Sequence, residues 1–109
     1  MKFIMAILQD ADAARIIDVL SEEGFKVTKM ASTGGFLRTG NTTIICGVED
    51  RKVEEFFGLI EKTCKSRKQI TSINSAHMST AENFVPYPVE VTVGGATIFV
   101  LEVAEFRQV

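Results

Sequence analysis

The residues best suited to binding chemistry lie together in Thr33-Gly34-Gly35-Phe36-Leu37-Arg38-Thr39-Gly40-Asn41-Thr42. Consecutive glycines let successive N–H groups converge on an anion, and their missing Cβ atoms let a phosphate approach the backbone closely. Asn41 adds a neutral amide donor. Phe36 offers a face on which a purine can stack, a contact of about 1–3 kcal/mol per base in nucleic-acid systems. Leu37 can cover the other side, and Arg38 supplies charge or points to water. The same residue types also suit a plain hairpin loop whose Phe36 and Leu37 anchor it to the core or to a neighbouring subunit.

Other chemistries have less to work with. A Walker loop needs lysine followed by serine or threonine at the opening of a helix, and the dinucleotide fingerprint also opens a helix, whereas this segment joins two expected strands. His77 is the only histidine, and without a carboxylate or cysteine pattern nearby it reads as a solvated loop residue, not a metal ligand. No serine, Cys46 or Cys64 carries a nucleophile signature. Cys46 and Cys64 each sit in an apolar pattern and read as reduced core thiols. Asp10 and Asp12 are explained by capping and first-turn placement, and Glu22 and Glu23 by a solvated helix end.

These residues need a scaffold. Lys2 to Leu8 is a nearly continuous apolar run, the pattern of a central strand covered on both faces. Asp10 can cap a helix over 11–23 whose stripe is Ala13, Ile16, Ile17 and Leu20, stopped by Gly24. Strands are expected at 25–32 and 42–48, and Asp50 can cap a second helix with the stripe Val53, Phe56, Phe57, Ile60 and Cys64. A short extended piece at 69–73 precedes a long polar loop over 74–88, closed by Pro86-Tyr87-Pro88. Val89 to Val93, Gly94-Gly95 and Ala96 to Val103 then read as a hairpin. The order gives an α+β fold, a ferredoxin-like βαββαβ sandwich with an added β-hairpin, in a single domain over 1–109 with loops at 33–41 and 74–88. Two helices cover one sheet face, so a homo-oligomer is expected to cover the other.

Bulk properties agree. The 109 residues are 46% hydrophobic and 24% charged, which suits one folded core. A net charge of −2 and a pI near 5.4 argue against broad nucleic-acid or anionic-membrane binding. The expected strand 42–48 lacks the aromatics with which such sheets stack RNA bases. The apolar start is too short to span a bilayer, so a cytoplasmic protein is expected.

Separated blocks in order, Thr33-Gly-Gly-Phe-Leu-Arg, Gly40-Asn-Thr-Thr, Cys46-Gly-Val, Pro86-Tyr-Pro-Val-Glu-Val and Val93-Gly-Gly-Ala-Thr-Ile-Phe-Val, closely resemble the PII-like cyclic di-AMP receptor family. Gln9-Asp10 and Phe106-Arg-Gln extend the likeness nearly end to end. The resemblance implies a PII-like homotrimer that holds cyclic di-AMP at subunit interfaces, changes loop conformation, and so regulates a downstream protein that the sequence does not name. It implies no enzyme, no catalytic residues, no metal and no cofactor beyond the nucleotide ligand. By the same resemblance Gly35, Phe36, Leu37 and Asn41 contact the ligand, Thr28 and Gly47 line its pocket, and Gln108 belongs to a tail folding over it. Lys26 stands where the family's pattern has arginine, and Gly24 where it often has asparagine. Lysine keeps the charge but loses the planar fork, so weaker binding is expected. Ser75 to Ala81 lacks the family's glycine pair. The strand-connecting loop at 33–41 has no tyrosine to modify and no lysine-bearing nucleotide motif, which by the same resemblance separates the chain from nitrogen-regulatory PII proteins. The alternative on a similar fold is a phosphate-handling enzyme of acylphosphatase type, which would place an arginine in a phosphate cradle opening a helix and an asparagine to position water, whereas Arg38 and Asn41 lie between expected strands.

Overall fold

The structure is a computed structural model and describes residues 1–32, 41–72 and 88–109. Its elements are β1 (Lys2–Gln9), α1 (Asp10–Glu22), β2 (Val27–Ser32), β3 (Asn41–Val48), a 3₁₀ turn (Asp50–Lys52), α2 (Val53–Cys64), β4 (Arg67–Ser72), β5 (Pro88–Val93) and β6 (Ala96–Glu102). Four strands form an antiparallel sheet in the order β2-β3-β1-β6, and β4 and β5 pair as a separate ribbon. This is the expected ferredoxin-like order with an added two-stranded piece.

Side chains alternate across the sheet, and paired residues share a face. Ile4, Ala6 and Leu8 of β1 pair with Cys46, Ile44 and Thr42 of β3, and all six are buried. Against them pack Ile16 and Leu20 of α1 and Phe56, Ile60 and Cys64 of α2, the stripes that the 3.6-residue period marks. On the opposite face, Phe3 and Met5 are half-buried, while Met30, Phe99 and Leu101 are 45%, 41% and 51% exposed. The nearly continuous hydrophobicity of β1 thus reflects one face packed on helices and one apolar face left open.

The hairpin expected around Gly94-Gly95 is corrected. β5 pairs with β4, from Arg67 opposite Val93 to Ser72 opposite Pro88. β6 pairs instead with β1. The glycines do take the positive φ that the sequence signals, 82° and 89°, but they turn a corner between two sheets. The corner is pinned from elsewhere: the Gly94 N–H donates to Gln9 Oε1 at 2.7 Å, and the Gly95 N–H donates to the Cys64 carbonyl. A dipeptide cannot reveal which strand its neighbours will find.

Three acidic residues also depart from expectation. Asp10 is the first residue of α1, after Gln9 as cap with no side-chain capping bond; its carboxylate accepts from Thr42 Oγ1 at 2.6 Å. Asp12 lies in the first turn of α1 as expected, but it is 4% exposed and accepts from Arg67 Nη2 at 3.0 Å. Asp50 opens the 3₁₀ turn without a capping bond to α2 and pairs with the amine of Met1 at 3.0 Å. Each has a charged or polar partner distant in sequence that outcompetes the local helix end.

Candidate functional site

The end of β3 nearest Val48, the residues leading into β2, and the C-terminal tail enclose a cavity of about 500 Å³, within the range of small-molecule sites. Lys26 enters from the segment before β2, Gly47 from β3 and Gln108 from the tail. Three residues singled out from the sequence are therefore brought together from parts of the chain far apart. Thr28, exposed and paired with Ile45, lies two residues beyond Lys26 on the open sheet face.

Gly47 has no backbone need for glycine, since among the described residues the positive-φ glycines are Gly24, Gly94 and Gly95. A Cβ built there would meet only Met1 Sδ, at an ordinary 3.6 Å. What the glycine provides is space at the cavity wall.

The rim is basic. Lys26 and Lys52 have no ion pair among the described residues. Arg107, also lining the cavity, is held by Glu105 at 2.6 Å. Glu49 is the acid on the lining; a hydrogen bond from Arg51 at 2.7 Å holds its carboxyl below the usual range. Lys52 is positioned from the core outward. Fully buried Phe56 meets Phe25 edge to face at 5.4 Å, and Lys52 Nζ lies 5.8 Å from the Phe25 ring centroid, a cation–π distance. Phe106 lines the same cavity and is 64% exposed, an aromatic face open to a planar ligand. Sequence reasoning did not single out Phe25 and Lys52 for the site. The signal is faint, because Phe25 reads as strand core and Lys52 as a solvated helix start.

Asn41 lies elsewhere. It is the first residue of β3, buried, and paired with Gln9 on one side and Ser32 on the other. Thr42 beside it is tied to Asp10. Six steps of strand separate Asn41 from Gly47, about 20 Å at the rise of an extended chain. Asn41 and Gly47 thus stand near opposite ends of β3, both at positions facing the open side of the sheet. Gly35, Phe36, Leu37 and Arg38 lie outside the described residues, as do the rest of the loop 33–40, His77 and the loop 74–87. Among the described residues no group of His, Cys, Asp and Glu could hold a metal ion, and no helix is long and apolar enough to cross a membrane.

A family model for the cyclic-di-AMP receptor matches residues 1–109. A solved structure of a functionally unknown protein from Pediococcus pentosaceus ATCC 25745 is similar at a TM-score of 0.80 and 36% sequence identity, covering 99% of this chain and 96% of that one.

Proposed function

The chain belongs to the cyclic-di-AMP receptor family, and from that premise we propose how its own residues serve the receptor: cyclic di-AMP sits where two subunits of a homotrimer meet, and its binding, without turnover, changes a loop that a downstream protein reads. The observation that carries this reading is the convergence of Lys26, Gly47 and Gln108 on one basic cavity while Asn41 stands about 20 Å away on the same strand. A ligand filling the cavity of one chain meets Asn41 only if a neighbour supplies it.

Lys26 and Lys52 offset the phosphodiester charge, the open wall at Gly47 admits the ligand, and Phe106 offers a face for adenine. Gln108 adds an amide that can donate and accept. The open apolar sheet face supports the homotrimer, because its exposed Phe99 and Leu101 would leave water on association. Setting the ligand between chains makes its affinity depend on their relative placement, which is how a bound messenger shifts a conformational population. A site of action in the cytoplasm accords with this reading.

Calorimetric titration with cyclic di-AMP tests it, with cyclic di-GMP and ATP as controls. Selective binding at micromolar concentration or below, weakened tenfold or more by Asn41→Ala and by Lys26→Glu, is the expected result. Absence of heat with cyclic di-AMP would overturn the ligand assignment. Binding that ignores both substitutions would overturn the two half-site geometry.

A further inference from the structure

A second basic cavity lies at the corner of α1, the C-terminal end of α2 and the start of β4. It encloses about 380 Å³ and is lined by Arg15, Lys62, Thr63, Lys65, Ser66 and Arg67. Four cations thus converge, Arg15 from α1, Lys62 from α2, Lys65 from the link after it and Arg67 from β4, in a chain whose net charge is −2. Arg67 is matched by the buried carboxylate of Asp12 at 3.0 Å. Arg15, Lys62 and Lys65 have no ion pair among the described residues.

Lysines in the last turn of a helix and just past it complement its dipole, which accounts for Lys62 and Lys65. It does not account for Arg15, on α1, while Arg67, on β4, is answered by Asp12. Like charges brought together cost free energy unless an anion answers them. The cavity also lies on the helix layer, so it stays accessible when the open sheet faces associate.

We propose that this cavity docks an acidic segment of a partner protein, carboxylates meeting Arg15, Lys62 and Lys65 while Thr63 and Ser66 offer hydroxyl donors. Charge complementarity selects the occupant: the walls combine cations and hydroxyls from three elements, and no aromatic lines them, so the cavity suits extended Asp/Glu side chains better than a base or an acyl chain. The inference stands apart from the nucleotide site, which uses none of these residues.

The test is fluorescence anisotropy of a labelled octaglutamate peptide at low salt, titrated with the full chain. Binding weakened tenfold or more in the Arg15→Glu/Lys62→Glu variant, unchanged in Lys26→Glu and unaffected by saturating cyclic di-AMP, is expected. The double variant should keep its cyclic di-AMP affinity within twofold and its unfolding midpoint, which shows that the fold is intact. The milder Arg15→Gln/Lys62→Gln variant, expected to bind the peptide severalfold more weakly than wild type, takes its place if the reversal does not fold. No peptide binding, binding indifferent to the Arg15 and Lys62 substitutions, or loss through Lys26→Glu would overturn the proposal. So would displacement of the peptide by inorganic phosphate at equal carboxylate concentration, which would mark a small-anion site. Anionic phosphatidylserine vesicles bound through the same residues more tightly than the peptide would overturn it in favour of a membrane surface.

Discussion

At the scale of single residues, two glycines with similar φ separate backbone strain from steric crowding. Gly24, at φ 89°, has nothing within 4 Å of a would-be Cβ, whereas at Gly94, φ 82°, that atom would meet Arg67 Nη1 at 2.5 Å and the Lys65 carbonyl at 2.7 Å. Gly24→Ala should therefore cost about 1–2 kcal/mol from left-handed strain alone, and Gly94→Ala more, as read by urea unfolding. At the proposed ligand cavity, Lys26→Arg supplies a planar fork and should tighten cyclic di-AMP severalfold by calorimetry; no gain would show that the fork adds nothing to the charge at this position. Cys64, 1% exposed, gives a pH signature. Burial, then the Asp12 charge, pushes its thiol from 9.0 up to about 11. Below pH 9.0 both folded and unfolded chains keep the proton and this stabilisation is complete. As pH rises toward 11 the unfolded thiol ionises first, so stability falls, by about 2–3 kcal/mol in all. Cys64→Ala should lower stability at neutral pH but flatten this alkaline decline, measured as unfolding free energy from pH 8 to 11.

At the scale of elements, the ion pair between Asp12 and Arg67 joins the first turn of α1 to the start of β4. Its members are unequal, with side chains 6% and 48% exposed. Arg67→Ala strands a buried carboxylate and should be the costlier of the two; Asp12→Ala leaves a guanidinium that water can reach and should cost less. Denaturant titration of the two variants decides the order. The sequence made the helices and the central sheet legible because their signals are periodic: Ile16 and Leu20, or Phe56, Ile60 and Cys64, repeat at helical spacing whatever lies around them. The partner of β5 was not legible, since Val89 to Val93 is equally strand-like beside β4 or β6. The same limit hid the buried role of Asp12, whose counterion lies 55 positions away. Of the site, Lys26, Gly47 and Gln108 were read through family likeness; Lys52 was missed because its place depends on Phe25 stacking against Phe56, a tertiary fact.

At the scale of the whole molecule, the sheet has one face under helices and one bearing Met30, Phe99 and Leu101. If that face is where subunits meet, Leu101→Asp should convert the proposed trimer to monomers in sedimentation analysis and weaken cyclic di-AMP at least tenfold, although Leu101 does not line the cavity. A variant that stays trimeric would place the contact elsewhere.

The corner at Gly94-Gly95 gives the chain very little slack. Two residues reach about 7 Å at full stretch, and both are already clamped, to Gln9 and to Cys64. The β4–β5 ribbon is therefore geared to β6 like a short crank. A ribbon shifted by more than a few ångströms must break the clamps or drag the edge strand that carries Phe99 and Leu101, so in the proposed trimer a protein gripping the ribbon would be felt by the other subunits without touching the proposed nucleotide site.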